Sequence, residues 1–241
     1  MLIRTLFIAA ILSTLSLFCV DAAENTDTLT YLLHKPTIAS EHPPALILLH
    51  GRGADEKDLI GLWSKLPQNF VVVSPRAPFA NDFGGYRWYE GKVESGKMDG
   101  DQGQVRVSHA AVDSLADDVI KRTNADPKKI FLAGFSQGAV MVYQVALQEP
   151  GRFRGAAVLS GSIFPSEQAV ISAKTDRTHD AFFVAHGTAD DRIAYSYATE
   201  AKDILAALAV PTEFHTYEGM RHEIRDAEIS DLSAWLEKSA K

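Results

Sequence analysis

With 241 residues, 46% hydrophobic and 23% charged, the chain suits one well-buried domain of α/β type, and no stretch is polar enough to read as disordered. Its formal net charge of -7 opposes binding to nucleic acid or to an anionic lipid surface, both of which call for the opposite sign.

In chain order, residues 1–22 come first: Arg4 is followed by an apolar run from Thr5 to Val20, then by small residues at Ala22 and Ala23 and the polar Glu24-Asn25-Thr26. A basic start, a short apolar run and a small-residue exit form the secretory signal pattern. The run is too short for the roughly 20 residues that span hydrocarbon. Cleavage is therefore expected after Ala22 or Ala23, giving a periplasmic or secreted protein with no stable membrane insertion and one domain over 23–241. Cys19 is the only cysteine and lies in that leading segment, behind the bulky Phe18, which argues against lipidation. The remainder would then carry no disulfide and no cysteine-based metal site.

Beyond it, short apolar runs read as strands buried on both faces: Ala45–Leu49, Phe70–Val73, Ile130–Ala133, Ala156–Leu159 and Ala181–Ala185. Thr212–Tyr217 alternates instead, as a strand near the sheet edge does. Helical periodicity occupies Ala110–Arg122, Ala139–Leu147, Ala198–Leu208 and Ile224–Leu236. The repeated strand–helix–strand pattern implies a mainly parallel sheet with helices on both faces. The segment 74–108 breaks the pattern. It is rich in Gly and Pro around Tyr86-Arg87-Trp88-Tyr89, and reads as a long functional loop walling a cleft.

Chemistry concentrates after the strands. Gly134-Phe135-Ser136-Gln137-Gly138 follows one predicted strand and opens a predicted buried helix, the setting that the Gly-x-Ser-x-Gly elbow of α/β-hydrolases requires. There the serine oxygen is lifted above the sheet, and helix N–H groups favour negative charge on a reacting oxygen. A serine needs a base, and in this fold an acid and a histidine follow it on loops after later strands. Ala181–Ala185 runs into a loop with Asp190 and Asp191, and Thr212–Tyr217 runs into one with His222. His50 and His186 also end strands, but each precedes a turning glycine and reads as structural; the remaining histidines lie outside such loops. An oxyanion needs two donors. The N–H of Gln137 follows the nucleophile, and His50-Gly51-Arg52-Gly53 is the one early strand-end loop suited to supply the other.

Taken together, these residues resemble the phospholipase/carboxylesterase family of small α/β-hydrolases, which includes the acyl-protein thioesterases. The resemblance runs from about Pro44 to the C-terminal helix. It rests on Leu49-His50-Gly51-Arg52-Gly53, Ser74-Pro75-Arg76-Ala77-Pro78, Tyr86-Arg87-Trp88-Tyr89, the Ser136 motif, His186-Gly187 with Asp190, and Tyr217-Glu218-Gly219 with His222. It implies an α/β-hydrolase fold without a large lid domain and a Ser136–His222–Asp190 triad, with Asp190 as the acid rather than Asp191. It further implies the Arg52 amide as second oxyanion donor, with Trp88 near the acyl cleft as a substrate-binding residue. Arg52 stands where acyl-protein thioesterases carry leucine, which is closer to the bacterial carboxylesterases.

The expected activity is hydrolysis of short-to-medium acyl carboxylic esters, small molecules, with no metal or cofactor. A lysophospholipid or thioester substrate is the alternative within the same chemistry. A non-catalytic binding protein on a hydrolase fold is the reading from another class; the filled triad and oxyanion positions count against it. Oligomeric state and natural substrate are not legible at this level.

Overall fold

The computed structural model describes residues 29–241 apart from 95–96, 172–175 and 178–179; the leading segment 1–22 lies outside the described residues. Seven strands form the central sheet: β1 (Tyr31–His34), β2 (Ala45–Leu49), β3 (Val71–Pro75), β8 (Ile130–Phe135), β9 (Gly155–Leu159), β10 (Ala181–Gly187) and β11 (Thr212–Tyr217). Their spatial order is β1-β3-β2-β8-β9-β10-β11. Neighbours from β3 to β11 run parallel, and β1 alone is antiparallel, on the β3 edge. The mainly parallel sheet with helices is thus the one the strand pattern implied.

The pleat divides the core by residue parity. Ile130 and Leu132 of β8 face a cluster built with α1 (Gln102–Thr123), α2 (Gln137–Gln148) and α4 (Tyr195–Ala207). Phe131 and Ala133 face the other, with a 3-10 helix at Ile60–Lys65 and α5 (Asp226–Ser239). Alternate residues of one strand point to opposite faces, so a continuous apolar run serves both layers. A four-residue helix α3 (Pro165–Gln168) follows β9.

Two differences from the sequence reading matter for the site. The segment 74–108 is no plain loop: it holds the short pairs β4 (Phe79–Ala80) with β5 (Tyr86–Arg87) and β6 (Gly91–Glu94) with β7 (Lys97–Gly100). Strands of two to four residues carry too little periodicity to register as elements. Helix α1 begins at Gln102, eight residues before the expected Ala110, because Asp101 accepts a hydrogen bond from the Gln104 N–H at 2.8 Å and caps it there.

The chain crosses from β3, on one side of β2, to β8 on the other. A reversal of this kind leaves a crevice beyond the carboxyl ends of the strands, where ligands bind in open α/β sheets.

Candidate active site

All four loops of interest leave that one edge: Arg52 after β2, Ser136 after β8, Asp190 after β10 and His222 after β11. Ser136 adopts φ 55°, ψ -116°, a conformation that non-glycine residues rarely occupy, and joins β8 directly to α2. Its N–H donates to the Leu159 carbonyl at 3.0 Å, and its own carbonyl accepts from Val140 at 3.1 Å, so the turn is held from both sides. Gly138 makes the turn sterically possible: a Cβ there would lie 2.0 Å from the Leu49 carbonyl oxygen. The absent side chain lets the start of α2 rest on the end of β2.

His222 joins the two other partners. Its Nε2 lies 2.8 Å from Ser136 Oγ and its Nδ1 2.8 Å from Asp190 Oδ2. Burial pushes the Asp190 carboxyl up, but hydrogen bonds from His222 and from the N–H groups of Ile193 and Arg192 outweigh it and hold the carboxyl below the usual range. An ionised Asp190 only accepts, so Nδ1 carries the imidazole proton. Nε2 then presents its lone pair to the Ser136 hydroxyl, the tautomer a general base requires. Phe135 packs against the imidazole, with ring centroids 4.8 Å apart.

The loops bearing acid and base are stitched together. Thr188 N–H donates to Tyr217 O, Ala189 N–H to Met220 O, and Gly219 N–H to Thr188 Oγ1. Gly187 permits the contact, since a Cβ there would sit 2.1 Å from the Met220 carbonyl oxygen. His186, fully buried, stands 2.8 Å from the Ile193 carbonyl through Nε2 and so clasps the Asp190 loop; burial lowers its pKa. Asp191 faces away and pairs with Arg221.

The loop after β2 is positioned by His50. Its Nε2 accepts from the Ala77 N–H at 3.1 Å, which leaves Nδ1 to donate to the Gly51 carbonyl at 2.7 Å. Burial lowers the His50 pKa and keeps the ring neutral. A trans peptide points its N–H opposite its C=O, so fixing the Gly51 carbonyl fixes the direction of the Arg52 N–H. The N–H groups of Arg52 and Gln137 meet no protein acceptor among the described residues. Both are free to serve an oxyanion.

Trp88, expected to touch substrate, does something else. It is fully buried, its indole N–H donates to the His50 carbonyl at 2.8 Å, and it is not among the residues lining the cleft. The Gln137 side chain ties the same segment down, accepting from Trp88 N–H at 2.8 Å and donating to the Tyr89 carbonyl at 2.9 Å. The cleft itself, about 400 Å³, opens at Ser136 and His222 and is walled by Tyr89, Val93, Met98, Val140, Phe164 and Ile193. The sequence reading missed these wall residues individually. Val93 and Met98 flank Ser95-Gly96, and a two-residue, glycine-bearing spacer is a hairpin signal that could have placed them.

Comparison with known proteins follows the same line. A family model described as Phospholipase/Carboxylesterase matches residues 36–240. The chain is 30% identical to acyl-protein thioesterase 1 of Yarrowia lipolytica over 216 residues, 83% of this chain and 93% of that one. It is 28% identical to carboxylesterase SOBER1 of Arabidopsis thaliana over 138 residues, 57% and 58% of the two chains. The carboxylesterase structure from Bacillus cereus superposes with a TM-score of 0.77 at 20% identity, covering 89% of this chain and 96% of that one, and so shares the fold. These relatives also correct the expected location. Acyl-protein thioesterases are cytosolic enzymes, so the assignment to periplasm or secretion does not stand. An apolar run at a chain start is a compositional signal, and this one found no support in the relatives. Among the described residues no helix is long and apolar enough to cross a membrane.

Proposed function

Because the chain belongs to the phospholipase/carboxylesterase family and is thereby a carboxylic ester hydrolase, we propose that it cleaves short-to-medium acyl esters through a Ser136–His222–Asp190 triad. The observation that carries this reading is the pair of 2.8 Å contacts His222 makes, one to Ser136 Oγ and one to Asp190 Oδ2. Ser136 Oγ attacks the acyl carbon as its proton passes to His222 Nε2; Asp190 holds the ring and stabilises the imidazolium. The N–H groups of Arg52 and Gln137 receive the oxyanion. His222 returns the proton to the leaving oxygen, and water repeats the sequence on the acyl-enzyme. The cleft supports acyl groups of modest size, being near the lower end of the roughly 300–1,000 Å³ usual for ligand sites.

The test is hydrolysis of p-nitrophenyl acyl esters of increasing length by the wild type and by Ser136→Ala. A loss on the order of 10⁶ in kcat is expected for the variant. Equal, slow hydrolysis by the two proteins would refute the reading. A second reading has its own support in the 30% identity to an acyl-protein thioesterase: the same triad acting on a thioester. Matched oxygen and sulfur esters of one acyl chain distinguish the two through kcat/KM.

A further inference from the structure

We propose that Arg192 recognises an anionic group, carboxylate or phosphate, on the leaving alcohol of the ester; the proposal rests on the esterase reading above. Among the described residues the Arg192 side chain has neither an ion pair nor a hydrogen bond, and it is exposed at the rim of the cleft. The other charges there are engaged. Arg52 donates to Asn81 Oδ1 and to Glu90 Oε1, while Glu90 also meets Arg87, leaving two cations on one carboxylate. Asp99, the acid in the lining, is buried and accepts from Gly100 N–H, Gln102 Nε2 and the Ser166 amide and hydroxyl. Asp191, next to Arg192 in sequence, is taken by Arg221. A chain of net charge -7 thus presents a locally cationic rim at its reactive serine.

The position of the Arg192 backbone points to the leaving-group half of the ester. Asp190 Oδ1 accepts from the Arg192 and Ile193 N–H groups at 2.9 Å each, while Oδ2 takes His222 Nδ1. One carboxylate therefore sets the Arg192 backbone beside His222, the group that protonates the departing oxygen. Substitution of the side chain leaves the Arg192 N–H in place, so the support of Asp190 survives the test.

The experiment measures kcat/KM for 4-butyryloxybenzoate, its neutral methyl ester and 4-butyryloxyphenyl phosphate. The proteins are the wild type, Arg192→Gln, Arg192→Glu, Arg192→Lys and Ser136→Ala. The esters differ in intrinsic reactivity, so the readout is the change in the anionic-to-neutral ratio between proteins. Arg192→Gln is expected to lower that ratio roughly fivefold, as an exposed charge pair allows, with Arg192→Glu lowering it further and Arg192→Lys retaining most of it. Added salt is expected to bring the wild-type ratio down toward that of the Gln variant. A larger drop for the carboxylate or for the phosphate ester identifies the anion preferred; equal drops mean that charge alone is read. A ratio unmoved in Arg192→Gln and Arg192→Glu overturns the assignment while leaving the esterase reading intact. Turnover of every ester no faster than by Ser136→Ala overturns both.

Discussion

At the scale of single residues, the site is a chain of hydrogen bonds in which each member determines the next one's proton. Asp190 is ionised, so His222 carries its proton on Nδ1, so Nε2 faces Ser136. Asp190→Asn breaks that logic at its first step and is expected to cut kcat by about 10⁴-fold with the fold intact, measurable by ester turnover alongside circular dichroism. His50 acts one step removed, through the Gly51–Arg52 peptide. His50→Ala should lower kcat by about 10²-fold, the loss of roughly one oxyanion donor, with a smaller effect on KM. Comparable losses in KM alone would point to a role in binding. The serine motif, the acid loop and the histidine loop were all legible in the sequence, because each is a local pattern at a strand end. The buried role of Trp88 was not, since its partner His50 is 38 positions away.

At the scale of elements, two glycines decide how strand ends meet. Gly138 lets α2 rest on β2, and Gly187 lets the loop after β10 touch the loop after β11. Gly138→Ala places a methyl against the Leu49 carbonyl and is expected to destabilise the protein by about 3 kcal/mol, read as a lower urea midpoint. At the mouth of α1, Asp101→Ala removes the cap and should cost about 1 kcal/mol. The parallel strands were visible as continuous apolar runs. The hairpin pairs between β3 and α1 were not, because two to four residues hold too few repeats of any period and their pairing is decided by neighbours.

At the scale of the whole molecule, the two-sided core holds the strand ends in register. Trp235 on α5 packs against Phe131 and Phe183 at ring distances of 5.9 and 5.8 Å, across three elements. Trp235→Ala is expected to cost roughly 3–5 kcal/mol by denaturant unfolding. Burial also sets a pH dependence. Glu228, fully buried at the start of α5, has its carboxyl pushed up to about 8 from the usual 4.5 by desolvation. The folded form holds this carboxyl protonated. Its stabilising preference is complete below about 4.5, where the unfolded chain is protonated too, and is lost as pH rises through about 8. Glu228→Gln should therefore gain about 4 kcal/mol on wild type at pH 8 and almost nothing at pH 4.5, by urea unfolding at the two pH values. The sequence by itself determined the strand–helix alternation and the family, because apolar periodicity and motif spacing are properties of the chain; within the triad on offer, the choice of Asp190 over Asp191 came from the resemblance to that family. Only the tertiary structure decided the 2.8 Å contacts among those three, the walls of the cleft, the place of Trp88 and, among the described residues, the unpaired charge of Arg192. Distances between loops arise from how strands order themselves in the sheet, and that order is written in no single segment.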